Sequence, residues 1–268
     1  MNSQPRSWGG MSDAVTLTLT TQPARTLVAD CIAADRFAAL DAKEIAALPV
    51  LHGGRPATLG EFFKVRGERA SVVRIEGDCE RVEAIGTGMA GGELVIDGNA
   101  GRDLGLAMSG GRIDVRGNAG ANTAGAPAGA ARGMTGGEII VRGSVGDEAG
   151  ARMRRGLLVV TGDGGRGTGK GMIAGTVVVF GKVGPGAGRF LKRGSIVALG
   201  DVAWPATFGY ACTYRPPHVA LLLRYLRSRC RVEVTEAQVS GRYERYSGDM
   251  AELGKGELLR WVGEDGGA

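Results

Sequence analysis

The chain has 268 residues, 48 of them glycine, and a formal net charge of +5. This length accommodates one large domain or two small ones. No apolar run approaches the roughly 20 residues of a membrane span, and residues 1–30 are too polar for a secretory signal. The segment from Lys64 to Val179 has no aromatic side chain on which nucleic-acid bases could stack. We therefore expect a cytoplasmic protein that binds neither nucleic acid nor membranes.

The N-terminal segment, residues 1–75, is predicted to cap a larger structure. Alternation over Thr16–Thr20 indicates a strand, and Ala33–Ala47 has the spacing of an amphipathic helix. Leu59–Val65, with its two phenylalanines, is typical of a cap over the end of a repeat protein, which would otherwise expose core and strand edges. Arg74–Gly77 is predicted to form an imperfect first repeat.

Residues 76–203 contain a glycine repeat. Its marker glycines are Gly98, Gly117, Gly143, Gly162, Gly181 and Gly200. The intervals between them are 19, 26, 19, 19 and 19 residues, so one repeat carries an insertion of 26 − 19 = 7 residues. A fixed period of this length is typical of a solenoid.

The positions before each marker glycine predict strands. The residues four and two positions earlier are apolar in every repeat, which is the period of a strand with one buried face. The residue six positions earlier is again glycine, and a helix of this composition would lose about 1 kcal/mol per glycine. We therefore predict a mainly β fold: a single-stranded parallel β-helix of about 19-residue coils, with a small capping segment and a C-terminal helix and tail.

The position three before each marker should point away from the interior of the repeats. This outward column holds Val95, Asp114, Ile140, Val159, Val178 and Val197. A monomer rarely exposes so many apolar residues together, so either the chain's own tail or a partner covers them. We expect Val160→Asp, in the inward column, to unfold the protein, and Val159→Asp to impair assembly more than folding.

Residues 204–268 lack the repeat. A Pro-Pro pair precedes His218–Arg229, which has the apolar face of a helix. Arg231–Val234 is a candidate strand. Tyr243–Trp261 is polar with intermittent apolar residues, a pattern that suits docking along the repeats or onto a partner.

The nucleotide-binding motifs are weak. Gly86–Gly91 and Gly162–Gly167 match GxGxxG, and Gly164–Gly171 is similar to a P-loop. A predicted strand follows each of them, whereas a nucleotide site needs a helix there. These matches therefore follow from the glycine content.

The catalytic and metal-binding residue types are sparse as well. His52 and His218 lack the spacing of metal ligands. The cysteines are scattered, and we expect them to be reduced and buried: Cys31, Cys79, Cys212 and Cys230. A sugar-processing β-helix enzyme would need an acid/base pair on an outward face, where the outward column offers Asp114 alone. We predict no catalytic residue and no metal site on this chain.

The repeats Met89–Gly101 (MAGGELVIDGNAG) and Met134–Gly146 (MTGGEIIVRGSVG) resemble the coils of the C subunit of formylmethanofuran dehydrogenase. The C-terminal domain of glutamate synthase shares this coil type, so a structural domain of that kind is an alternative. The flanking segments Leu59–Val65 (LGEFFKV) and Tyr246–Leu258 (YSGDMAELGKGEL) are similar to the C-subunit family. The resemblance covers nearly the whole chain.

This resemblance implies a scaffold subunit whose catalytic residues lie on other subunits. In methylotrophic bacteria the homologous complex is a formyltransferase/hydrolase. It moves a formyl group from formyl-tetrahydromethanopterin to a methanofuran-like coenzyme and hydrolyses it to formate. In archaea the complex is a molybdenum or tungsten formylmethanofuran dehydrogenase. The arginine- and alanine-rich, lysine-poor composition favours a GC-rich bacterial source, and with it the first complex.

Basic residues recur at the corners of the later repeats. We call them the basic strip: Arg132, Lys170 and Arg189 eleven positions before a marker glycine, and Arg154, Arg155, Lys192 and Arg193 eight or seven before. Stacked repeats would bring them close, because equivalent residues lie about 4.8 Å apart per repeat. The strip is a solvated edge, or it forms salt bridges to a partner subunit, or, as the resemblance implies, it is the site for the glutamate chain of a methanofuran-like coenzyme at a subunit interface. We predict no other cofactor.

Overall fold

The computed structural model describes residues 14–263, so residues 1–13 and 264–268 of the predicted terminal segments lie outside it. The protein is mainly β and of β-helix-like character. Within the described residues, twelve strands form one large sheet and four strands form a second. No helix in this part of the chain has both the length and the apolar character needed to cross a membrane.

The N-terminal segment adds two strands to one end of the large sheet. Its elements are β1 (Val15–Leu19), β2 (Leu27–Val28), α1 (Ala34–Phe37), α2 (Ala42–Ala46), β3 (Pro49–His52), β4 (Arg55–Thr58), a 3-10 turn (Leu59–Glu61) and β5 (Phe63–Arg66). The predicted strand at Thr16–Thr20 is confirmed as β1, which pairs parallel with the first repeat strand and antiparallel with β5. Phe62 and Phe63 are buried in the main core.

The helical pattern predicted within Ala33–Ala47 corresponds to two short helices, not to one continuous helix. Asp41 interrupts the pattern and caps α2, where its carboxylate accepts the N–H groups of Lys43 and Glu44, each at 2.8 Å. Glu44 in turn accepts the N–H of Asp41, which completes a capping box. The amphipathic spacing of the sequence therefore runs past the end of α1, because the capping residues of α2 start a new helix there.

The repeat strands stack in parallel. They are β6 (Val72–Glu76), β7 (Val82–Glu83), β8 (Glu93–Ile96), β9 (Arg112–Val115), β10 (Glu138–Val141), β11 (Leu157–Val160), β12 (Thr176–Val179) and β13 (Arg193–Ala198). Apart from β7, which pairs with β2, each is hydrogen-bonded to the next in the register of the repeat, as in Ile139 opposite Leu158. A second parallel series of bridges runs from Cys79 to Val202. The imperfect first repeat predicted at Arg74–Gly77 is confirmed, because β6 joins this ladder.

The glycines serve two different purposes. The glycine six before each marker has a positive φ, as at Gly137 (φ +87°), where the chain turns into the strand. The marker glycines instead allow adjacent repeats to approach closely. A Cβ at Gly162 would lie 2.5 Å from the Oγ of Ser144, which accepts the N–H of Asp163 at 2.9 Å. Asn99, Asn118 and Asp163 accept from the following repeat in the same way.

The C-terminal segment returns to the ladder. Its elements are β14 (Gly209–Tyr214), α3 (Pro217–Arg229), α4 (Glu236–Ser240), β15 (Tyr243–Gly248) and β16 (Lys255–Trp261). The predicted helix is confirmed as α3. β16 pairs parallel with β13, and β15 and β14 follow antiparallel at the end of the sheet. The predicted strand at Arg231–Val234 is wrong: Val232 and Val234 are buried by packing against the ladder without strand pairing.

A second hydrophobic cluster covers the outward column. Ile140, Val159, Val178 and Val197 are at most 1% exposed and pack with residues of α3. The α3 residues in this cluster are Val219, Leu223 and Leu226. The chain's own C-terminal segment therefore covers the outward column from Ile140 to Val197, which decides between the two alternatives for this part of the column. Val159 is as buried as Val160, so the basis for expecting Val159→Asp to impair assembly more than folding is wrong.

Candidate functional site

A groove of about 850 Å³ crosses the turns of the repeats, on a different face from the one covered by α3. The seven-residue insertion forms one wall, with Ala126, Pro127 and Gly129, and Phe190 and Glu252 lie at the other side. Insertions in solenoids map to loops on one face, which is often the binding face. The charged side chains that line the groove include Arg102, Asp147, Glu148, Arg152, Lys170 and Lys192.

The charges in this groove are largely compensated. Lys170 Nζ lies 2.6 Å from Glu148 Oε1, and Lys192 Nζ lies 3.9 Å from Glu252 Oε2. Arg166 donates to Asp147 at 2.9 Å, and this hydrogen bond lowers the pKa of the Asp147 carboxyl. The groove is therefore not strongly positive, and a charged ligand would have to exchange partners with these pairs.

The basic strip divides between the groove and its edge. Lys170 and Lys192 line the groove, and the guanidinium of Arg189 lies 4.9 Å from the centroid of the Phe190 ring. Arg193 is the first residue of β13. Arg155 occupies the equivalent position two repeats earlier, with Ala174 between them, so the two are about 10 Å apart.

Four members of the strip form no ion pair with other described residues: Arg132, Arg154, Arg155 and Arg193. Arg154, Arg155 and Arg193 lie at or just before the start of a strand, whereas Arg132 belongs to the repeat that carries the insertion. Two lysines of the strip are thus paired with glutamates, while four of its arginines pair with no described residue. The strip is therefore not one uniform cluster.

An ion-pair network occupies the outer face. Arg142 donates to both carboxylate oxygens of Asp114 at 2.8 Å. The same guanidinium donates to the carbonyls of Cys230 and Arg231 at 2.9 and 3.1 Å. Beside it, the hydroxyl of Tyr225 donates to the carboxylate of Glu138 at 2.7 Å. Asp114, the outward carboxylate considered for sugar chemistry, therefore fastens α3 to the ladder.

The two histidines lie far apart in separate parts of the fold. His52 Nε2 accepts the N–H of Arg25 at 3.3 Å, and its ring packs edge-on against Phe62. His218 Nε2 lies 3.5 Å from Glu257 Oε1. Among residues 14–263, no group of three or more His, Cys, Asp or Glu side chains is placed to hold a metal ion.

The cysteines only partly follow the expectation. All four thiols are free; Cys31, Cys79 and Cys230 are buried, but Cys212 is exposed on β14. The expectation of a buried Cys212 is wrong because β14 is the edge strand of the sheet. Burial raises the pKa of Cys31 to about 11 and that of Cys79 to about 12, which leaves these thiols unreactive.

Two known proteins with related sequences are subunits of dehydrogenases. No protein-family profile matches the chain. It is 42% identical over 81 residues to the C subunit of the molybdenum-containing formylmethanofuran dehydrogenase 1 of Methanothermobacter marburgensis, covering 30% of this chain and 20% of that protein. It is 35% identical over 100 residues to the C subunit of the tungsten-containing enzyme 2 of Methanothermobacter wolfeii, covering 35% and 37%. The chain thus spans about a fifth of the length of the first relative.

A solved structure matches almost from end to end. It is a chain of the formyltransferase/hydrolase complex (FhcABCD) from Methylorubrum extorquens, crystallised in complex with methylofuran. The TM-score is 0.77 at 32% identity, and the match covers 91% of this chain and 98% of that chain. The chain belongs to the C-subunit family of formylmethanofuran dehydrogenases.

The sequence patterns did not identify three further basic residues of this chain. Arg102 and Arg152 line the groove, and Lys255 lies opposite Arg193 in the pairing of β16 with β13. A signal for Lys255 was present. Lys255–Leu259 (KGELL) repeats the order basic, glycine, polar, apolar, apolar of Arg193–Val197 (RGSIV). It was missed because the two segments are 255 − 193 = 62 positions apart, far from the period of 19.

Proposed function

We propose that the chain is the non-catalytic scaffold subunit of a formyltransferase/hydrolase complex. In this complex a formyl group passes from formyl-tetrahydromethanopterin, via a methanofuran-like coenzyme, to formate. The observation that carries the proposal is the 32% identity and TM-score of 0.77 over 98% of a chain from such a complex. Homologous proteins of this similarity and coverage usually keep the same place in an assembly.

The architecture suits a scaffold. We propose that the repeats form a single-stranded parallel β-helix over residues 76–203, capped by residues 1–75 and completed by residues 204–268. The in-register parallel pairing from β6 to β13 and the second series of bridges support this arrangement. Such a body is rigid along its length, since each repeat is hydrogen-bonded to both neighbours. In the cytoplasm, it would hold the partner subunits at fixed positions relative to one another. Their successive active sites would then stay within reach of one formyl group tethered to the coenzyme.

We propose that the basic strip, extended by Lys255, contacts the acidic chain of the coenzyme at a subunit interface. The support is the row of arginines without described ion-pair partners and the methylofuran bound in the related complex. Arginine forks suit carboxylates, and spacings of about 5 to 10 Å match an extended chain with repeated acidic groups. The chain itself holds the coenzyme only together with its partner.

A second candidate is the C subunit of a molybdenum or tungsten formylmethanofuran dehydrogenase. The identity of 42% to the archaeal protein favours it, but the match spans only 20% of that protein. Metal analysis of the purified native complex distinguishes the two, because the dehydrogenase would carry molybdenum or tungsten in stoichiometric amount.

The test of the proposed function is purification of the affinity-tagged chain from its own source. We expect other subunits to co-elute in fixed ratio and the eluate to release formate from formyl-tetrahydromethanopterin. The isolated chain should show no turnover. Elution of the wild-type chain alone, or turnover by the isolated chain, would overturn the proposal.

A further inference from the structure

Exposed apolar side chains gather at the C-terminal end of the ladder. Phe190, Met250 and Leu253 are 39, 63 and 55% exposed, and we call these three residues the terminal surface. Phe190 belongs to the turn of the last full repeat, and the other two belong to the turn between β15 and β16. Tyr210, on the adjacent edge strand β14, is 59% exposed.

These turns are held together by the buried carboxylate of Asp249. It accepts the N–H of Phe190 at 2.8 Å and the N–H of Ala251 at 2.9 Å. The N–H of Met250 donates to the carbonyl of Thr207 at 3.0 Å, and the N–H of Gly254 closes the turn onto the carbonyl of Asp249 at 3.0 Å. The exposed side chains are therefore presented by a fixed backbone, which lowers the entropy cost of binding.

The terminal surface has a basic border. The guanidinium of Arg189 lies over the ring of Phe190, and Arg193 and Lys255 lie side by side at the start of β13 and β16. Lys192, in contrast, is paired with Glu252. A ligand for this end would thus combine apolar side chains, which fill the surface, with carboxylates, which meet the border.

We infer that the terminal surface docks another subunit of the complex, through a segment that carries apolar anchors flanked by carboxylates. This inference rests on the proposed function. A solenoid end needs cover, and here the turn at the end of the ladder exposes Met250 and Leu253 beside Glu252, which is paired with Lys192. The matched chain belongs to a multi-subunit assembly. Arg193 and Lys255 form no ion pair with other described residues, and their charges select an acidic partner over a second copy of this basic chain.

The test compares the double variant Met250→Asp/Leu253→Asp with Leu221→Asp in the tagged complex. Leu221 is the matched control, because it is 70% exposed on α3. All three substitutions replace exposed side chains, so the melting temperature of the isolated chain should stay at the wild-type value. We expect the double variant to lose about tenfold or more of the co-eluting partner subunit, since buried apolar anchors dominate such interfaces. The control should retain it.

The outcomes separate this inference from the proposed function. If the wild-type chain recruits no subunit, the proposed function fails and the docking surface fails with it. If the wild type and the double variant recruit partners equally, the docking surface is overturned while the proposed function stands. If light scattering shows that the isolated chain is a dimer which the double variant dissociates, the occupant is a second copy and the inference is wrong.

Discussion

Arg142 and Asp114 form a two-pronged ion pair, with both contacts at 2.8 Å, and it links the ladder to the C-terminal segment. The Asp114 hydrogen bond raises the pKa of Arg142 above its ordinary value. Since the same guanidinium holds the carbonyls of Cys230 and Arg231 at the end of α3, the pair fixes where the helix ends. After Asp114, the outward column contains only apolar residues. The ion pair therefore lies at the edge of the area that α3 covers.

Arg142→Met should loosen the C-terminal segment. It removes the two 2.8 Å hydrogen bonds of the nearly buried Asp114 carboxylate and leaves that carboxylate only Arg112, at 3.5 Å, which costs about 2 kcal/mol. Hydrogen exchange should accelerate in α3 while the ladder stays protected. The double variant Asp114→Val/Arg142→Met should recover much of the lost stability, because the column holds valine elsewhere. Equal stability of the single and double variants would contradict the role of the pair.

Val159→Asp should destabilise folding almost as much as Val160→Asp. Both side chains are fully buried, and a carboxylate without a partner costs at least about 3 kcal/mol in such a site. The two should differ in what is lost: Val159→Asp should release α3, made visible by proteolysis of residues 204–263, and Val160→Asp should unfold the repeats. Val95→Asp is the control, because Val95 occupies the same column but is only half-buried. A fully stable Val159→Asp chain would mean that α3 does not cover this column in solution.

One thiol should react quickly in the folded protein. Cys212 is exposed, whereas burial raises the pKa of Cys31 to about 11 and of Cys79 to about 12. A thiol reagent at a pH of about 8 should therefore modify one cysteine rapidly and the remaining three only after denaturation. Cys212→Ser should abolish the fast phase. A fast phase that persists in this variant would show that a buried cysteine opens to solvent.

Replacing Arg154, Arg155, Lys192 and Arg193 together with serine should raise the KM of the intact complex for a glutamylated coenzyme. Attraction between exposed charges is screened over about 8 Å at physiological ionic strength, so the wild-type KM should rise with salt and that of the variant should not. The control removes four exposed basic residues from the N-terminal cap: Lys43, Arg55, Lys64 and Arg66. If both quadruple variants show the wild-type KM in an assembled complex, the strip is a solvated edge or pairs with another subunit.

Acid should loosen the end of the ladder through Asp249. Burial opposes ionisation of this carboxyl, but the N–H groups of Ala251 and Phe190 outweigh it and lower the pKa. A depressed pKa gives stability that is present above the unfolded value of about 4 and is lost as pH falls through the folded value. Asp249→Asn should therefore lower the melting temperature at neutral pH and flatten its dependence on pH below about 4. Parallel melting curves for variant and wild type across that range would refute this assignment.

The repeat could be predicted from sequence because one set of physical constraints recurs in every turn of the ladder. The inward columns and the glycines before each strand follow from local period and backbone geometry alone. Arg231–Val234 shows the limit: its alternation is real, but packing against the ladder, not strand pairing, accounts for it. Lys255 could not be placed because its position depends on β16 returning to β13 after two helices and two other strands. Long-range pairing of this kind leaves only a faint trace in sequence.

The position of β16 has a consequence for biosynthesis. The strand that joins the ladder after β13 lies at Lys255–Trp261, so it is made after all the repeat strands and after α3. While the chain grows, the repeats can stack from the N-terminal cap onward, but the valine-rich outward column stays bare until α3 has left the ribosome. Each nascent chain thus passes through an aggregation-prone intermediate whose lifetime is set by translation. Any element that delays translation between β13 and α3 would lengthen that interval and favour aggregation over maturation.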